Sequence, residues 1–110
     1  MPYIKQEFRN TLDQTIDKLA QDINALACQT DDETSYAGLL NYTCTRLAMA
    51  VIDLRFGKIR YGTIATITGV FKNIADEFYR RIASPYEDKQ IDKSGDVDYY
   101  GIYTDRISKL

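Results

Sequence analysis

The stretch IKQEFRNTLDQTIDKLAQDINAL, residues 4–26, decides the fold class. Its apolar side chains Ile4, Phe8, Leu12, Ile16, Leu19, Ile23 and Leu26 return after four, four, four, three, four and three residues. A helix turns once in about 3.6 residues, so this spacing places them on a single stripe. Gln6, Glu7, Asn10, Asp13, Gln14, Asp17, Lys18 and Asp22 fall between them and make the opposite face polar. The expectation is a surface helix with one buried side. Thr11 with Gln14 three residues later matches a capping box, which allows a break near Asn10-Thr11.

Working outward, Thr30-Asp31-Asp32-Glu33-Thr34-Ser35 is rich in side chains that cap helix starts, and its carboxylates suit the positive end of a helix dipole. A second helix should follow, with Tyr36, Leu39, Leu40, Thr43, Leu47, Ala48, Val51 and Leu54 on its stripe and Gly57 as a left-handed cap. Its small residues Cys44, Ala48 and Ala50 permit close approach, so it is expected to be the central, most buried helix. After the connection Lys58-Ile59-Arg60-Tyr61-Gly62, Thr63 is placed to cap a third helix running to about Ala83. Ile64, Ile67, Phe71, Ile74, Phe78 and Ile82 form its stripe. The β-branched run Thr63, Ile64, Thr66, Ile67, Thr68 raises a strand alternative for residues 59–68. Ser84-Pro85 should close the helix, because proline disfavours helical geometry in the residue before it.

From Tyr86 onward polar residues dominate, with Tyr99, Tyr100 and Tyr103 interspersed, and no period persists. The expected architecture is therefore all-α: a three-helix domain over residues 1–84 and an extended, tyrosine-rich tail over 85–110. Tyrosines bury large flat surfaces while leaving a hydroxyl for a partner, so the tail is expected to dock on the domain or on a neighbouring subunit, with homo-oligomerisation completing the fold.

Composition agrees with one small folded domain. The 110 residues are 45% apolar and 27% charged, too apolar for general disorder. A net charge of −2, from 14 basic and 16 acidic residues, supplies no broad positive field for nucleic acid or an anionic membrane. The apolar runs are too short for a membrane span, and the N-terminus carries no secretory pattern. A cytoplasmic protein is expected. Cys28 and Cys44, without CxxC spacing, read as small buried hydrophobes.

Several motifs occur in order: Met1-Pro2-Tyr3-Ile4-Lys5, Leu40-Asn41-Tyr42 with Thr45-Arg46-Leu47, Glu77-Phe78-Tyr79-Arg80-Arg81, Pro85-Tyr86-Glu87-Asp88 and Gly95-Asp96-Val97. Together they resemble an uncharacterised family of small bacteriophage and prophage proteins, over roughly residues 1–98. The resemblance implies a viral origin and a setting in the cytoplasm of an infected or lysogenic bacterial host; it brings no assigned activity. This chain departs from the family pattern in a longer segment from Cys28 to Tyr36 and in its extension after Val97.

The chemistry-bearing residues are notable for what is missing. There is no histidine, so the commonest general base and transition-metal ligand is absent. The glycines form neither GxGxxG nor GxxxxGK[ST], and there is no nucleophile elbow, HExxH or calcium loop. Asp76 and Glu77 are adjacent and diverge on a helix, while Asp13 and Asp17 lie on the wet face of the first helix, so a metal site would need carboxylates from both. The expectation is no catalytic residue, no metal and no cofactor.

Basic residues beside aromatic ones are the positive candidates. Arg55, Lys58 and Arg60 surround the second turn, where the start of the third helix offers unpaired N–H groups to a phosphate. The plainer alternative is that Arg55 and Lys58 neutralise the negative end of the second helix. Tyr79, Arg80, Arg81 and Tyr86 form a second cluster, with Asp76 and Glu77 four residues before the two arginines as ready surface partners. Asn41, Tyr42 and Arg46 are the polar residues of the second helix, read either as ligand contacts or as a buried network fixing helix register.

The leading expectation is a non-enzymatic, homo-oligomeric binding protein that sequesters a host nucleotide signalling molecule to counter host defence, with arginines for phosphates and tyrosines for bases. The alternatives are a protein-binding adaptor, inhibitor or structural module without a small-molecule ligand, and a disfavoured metal-dependent nucleotide hydrolase.

Overall fold

The computed structural model describes all of residues 1–110, and every regular element in it is helical. The elements are α1 (Gln6–Ala27), α2 (Ser35–Phe56), α3 (Tyr61–Phe78), a π turn (Tyr79–Ala83), α4 (Ser84–Ser94) and α5 (Asp98–Ser108). The all-α class is as expected, but the count of three helices is not. Two compact units divide the chain, Met1–Val70 and Phe71–Leu110.

In the first unit α1 is unbroken through Thr11. The Thr11 hydroxyl donates to the Glu7 carbonyl at 3.3 Å, one turn back within the helix, so it does not cap a new one. At the other end of α1, Cys28 N–H closes on Asn24 O and the chain turns. The polar loop that follows is held by its own side chains. Thr34 donates to the Asp32 carboxylate through its amide at 2.9 Å and its hydroxyl at 2.7 Å, while the Asp32 amide donates to the Thr30 hydroxyl oxygen at 3.0 Å. These are local side-chain turns that compete with helix and therefore separate α1 from α2. The Ser35 hydroxyl donates to Ala27 O at 3.4 Å and ties the start of α2 to the end of α1.

α2 ends as its sequence requires. Gly57 takes φ 68°, and its N–H donates to Asp53 O at 2.8 Å. A residue with a Cβ is strained in this left-handed region, and glycine is not. α3 begins at Tyr61, so Thr63 lies inside its first turn and does not cap it, and no strand forms over 59–68. Here the helical stripe and the preceding turn outweigh β-branched propensity, which is a weak local preference.

The second unit contains the larger departure. Ser84-Pro85 does not end the helix. Proline lacks an N–H and crowds the carbonyl four residues back, but the π turn widens the backbone just before it: Ser84 N–H donates to Tyr79 O, five residues earlier. Pro85 then occupies the first turn of α4, where its missing donor costs nothing. The expected extended tail is likewise helical. Tyr99, Ile102, Tyr103, Arg106 and Ile107 do recur at helical spacing, and α5 carries an i,i+4 pair of Tyr99 and Tyr103 with ring centroids 6.4 Å apart and a Lys109–Asp105 ion pair at 3.0 Å.

Burial is sparse. Ile52 on α2 is the one buried apolar residue, at 7% exposure, with Leu39, Thr43, Cys44, Ala48 and Ala50 of the same helix half-buried. α2 is thus the most buried helix, as its small residues suggested. The stripe of α1 is not buried: apart from the half-buried Ile23, each of its large apolar residues is exposed. Cys28 is exposed and Cys44 half-buried, so the expectation of two buried cysteines is corrected. Cys28 follows the last residue of α1, at the start of the loop.

Candidate functional site

The turn joining α2 to α3 assembles the first basic cluster. Gly57 ends α2, and Arg55 and Arg60, which flank it in sequence, line one groove with Phe56, Val51, Ile52, Gly62, Thr63, Thr66 and Ile67. The groove encloses about 500 Å3. A smaller hollow of about 210 Å3 adjoins it, lined by Phe56, Lys58, Arg60 and Thr63. The three cations expected at this turn therefore line two adjoining hollows that share Phe56 and Arg60.

The physical character of the groove is mixed. Val51, Ile52 and Ile67 give it an apolar floor, and the Arg55 guanidinium lies 5.0 Å from the centroid of Phe56. A guanidinium stacked on a ring is partly held in place, yet its N–H groups stay available at the edge. Arg55, Lys58 and Arg60 make no ion pair with any carboxylate. The first N–H groups of α3, from Tyr61 to Thr63, have no acceptor within the helix and carry the positive end of its dipole. Thr66 turns its hydroxyl inward to Gly62 O at 2.9 Å. Arg55 and Arg60 with a ring and a helix start in one groove, and Lys58 in the adjoining hollow, suit an anion that also carries a flat apolar part.

The other candidates are arranged differently. Asn41 and Tyr42 line a shallow hollow on α2 with Ala37, Gly38 and Thr45, which Arg46 does not enter. All three are exposed, so the buried register-fixing network does not form. A helix that packs against little cannot bury its polar residues. In the second unit Arg80 donates to both oxygens of Glu77, three residues back, at 3.2 and 3.3 Å. The Tyr79 hydroxyl donates to a Glu87 carboxylate oxygen at 2.7 Å, across the π turn. That bond holds the phenol proton and pushes the Tyr79 hydroxyl above its ordinary value of 10.0, with the nearby Glu87 charge adding to the effect. Arg81 and Tyr86 are exposed. The second cluster is a set of local pairs on a helix surface.

Phe56, Thr63 and Thr66 are groove residues that the sequence reading did not single out. Phe56 interrupts the apolar spacing of α2 and stands directly beside Arg55 and the cap glycine, which is the signal that marks it. No group of three or more cysteine, aspartate or glutamate side chains is placed to hold a metal ion. No helix is long and apolar enough to cross a membrane.

The fold and groove define a small all-helical protein with a basic, aromatic concavity at a helix–helix turn. The chain belongs to the family described as Domain of unknown function (DUF6899), whose model matches residues 1–97. The match ends where α5 begins, at Asp98. Membership in an uncharacterised family is what the ordered motifs anticipated. No curated protein and no solved structure matches the chain.

Proposed function

We propose that this is a non-enzymatic binding protein that holds a nucleotide-type anion at the α2–α3 turn, working as a subunit of a homo-oligomer. The observation that carries the reading is the set of three cations without carboxylate partners, Arg55, Lys58 and Arg60, lining two adjoining hollows that share Phe56, with Arg55 over its ring. Each element has a role. The guanidinium groups and the start of α3 bind phosphate oxygens, and Phe56 with the aliphatic floor receives a base. The likeness of the motifs to phage proteins supports the biological setting: sequestration of a host nucleotide signal in the cytoplasm of an infected cell, which needs affinity and no turnover.

The test is a thermal-shift and calorimetric screen of the full chain against cyclic dinucleotides, ADP-ribose derivatives, mononucleotides and inorganic phosphate. The expected result is stabilisation by at least one nucleotide and little by phosphate alone. Arg60→Ala should weaken that binding by about tenfold or more, the weight of one charge-assisted hydrogen bond of roughly 1.5–3 kcal/mol. A flat response to every member of the panel overturns the reading.

A further inference from the structure

The two hollows at the α2–α3 turn differ in size and share a wall. The larger, about 500 Å3, is of the size that holds a small molecule, roughly 300–1,000 Å3. The smaller, about 210 Å3, falls below that range, so it has room for one group of a ligand and not for a whole one. Phe56, Arg60 and Thr63 line both, and Lys58 lines the smaller alone. All of these residues lie within the unit Met1–Val70.

Their chemistry differs as well. The aliphatic side chains Val51, Ile52 and Ile67 belong to the larger hollow, whereas in the smaller every lining side chain other than the Phe56 ring is a cation or a hydroxyl. No carboxylate lines either one. The Thr66 hydroxyl is committed to Gly62 O, but the Thr63 hydroxyl makes no such bond and stays available at the shared wall. Arg55, Lys58 and Arg60 fall within six consecutive residues, and no acidic residue stands in the first turn of α3 to offset them. Cations held this close repel one another, and an anion with negative charges at short spacing relieves that repulsion more fully than a single phosphate does.

The geometry points to a nucleotide that carries two linked phosphates, as a nucleoside diphosphate does: base and ribose in the larger hollow, the first phosphate at the wall of Arg60 and Thr63, and the second in the smaller hollow against Lys58. The inference rests on the nucleotide reading proposed above and gives each part of that ligand a place. Arg60 meets the phosphate that every nucleotide has, and its planar fork suits two oxygens at once. Lys58 meets only the second phosphate, for which a compact charge with three donors is enough. Lys58 is therefore the residue that distinguishes a diphosphate from a monophosphate, while the apolar floor separates either from a bare phosphate chain.

The experiment is calorimetry on the full chain at constant ionic strength and without divalent cations, with AMP, ADP and inorganic pyrophosphate as probes. ADP should bind about tenfold more tightly than AMP, the scale of one added charge-assisted hydrogen bond, and more tightly than pyrophosphate, which lacks the base. Lys58→Ala should bring ADP down to the affinity of AMP and leave AMP itself nearly unchanged. Lys58 is exposed beyond the cap of α2, and circular dichroism should show the variant as helical as its parent. Lys18→Ala removes a cation of the same unit that lines neither hollow, and should leave the ratio of ADP to AMP affinity as it was. Equal affinities for AMP and ADP, or a ratio lost as fully in Lys18→Ala as in Lys58→Ala, overturns the place given to the second phosphate and leaves the nucleotide reading standing. So does a chain that binds another member of the nucleotide panel and neither AMP nor ADP. A chain that binds no nucleotide at all overturns both.

Discussion

At the residue scale, two hydrogen-bonded acids and bases carry readable consequences. The Tyr79 hydroxyl is pushed up because it donates to Glu87. A group whose folded value lies above its unfolded one contributes stability below the unfolded value, here about 10, and loses it as pH rises through the folded value. Tyr79 should therefore ionise above 10.0. Following tyrosinate absorbance, Tyr79→Phe should remove a step that lies above 10.0, and Glu87→Ala should move that step down towards 10.0. Asp32 works in the opposite sense. The Thr34 hydroxyl, then the Thr34 amide, holds its carboxyl below the ordinary value of 3.8. Its contribution is present above the unfolded value and disappears as pH falls through the lower folded one. The amide resonance of Thr34 should titrate below 3.8; a midpoint at or above that value contradicts the hydrogen bonds seen in the loop.

At the scale of elements, glycine and proline separate what is local from what is not. Gly57 at φ 68° was legible from the sequence because only a residue without a Cβ ends α2 in this way without strain. Gly57→Ala should lower stability by about 1 kcal/mol, measured as a drop in the urea midpoint at fixed protein concentration. Pro85 was misleading for an equally physical reason. Its steric rule applies to ordinary helical hydrogen bonding, and the π turn over Tyr79–Ala83 changes that bonding before the ring is reached. The Tyr79–Glu87 bond spans the same segment, so one local distortion sets both the helix path and a side-chain pair. The helices of the C-terminal region were missed because polar residues hide their period; Tyr99, Ile102, Tyr103 and Ile107 keep a helical spacing once the tyrosines are counted as apolar on one side.

At the scale of the whole molecule, helices form readily while little apolar surface is covered within the chain. If copies of the chain supply that cover, stability depends on concentration, since anything that binds only the folded state adds to its stability by mass action. The melting temperature should rise over a hundredfold increase in protein concentration, and a value that does not move contradicts the homo-oligomer proposed above. The helical class, the α2 cap and the basic turn were determined by the sequence, because each depends on neighbours within a few residues: apolar period, a positive φ, cations flanking a glycine. The groove was only half legible. Arg55, Lys58 and Arg60 stand close in sequence, but the partnership of Phe56 with Thr63, Thr66 and Ile67 exists only once the turn brings the end of α2 beside the start of α3. The exposure of the α1 stripe was invisible for a deeper reason. A period of 3.6 residues shows that a face must be covered, and it does not say by what. The sequence by itself therefore determined which faces are apolar, and the tertiary structure decided which of them the chain leaves open, because burial depends on contacts between residues far apart along the chain.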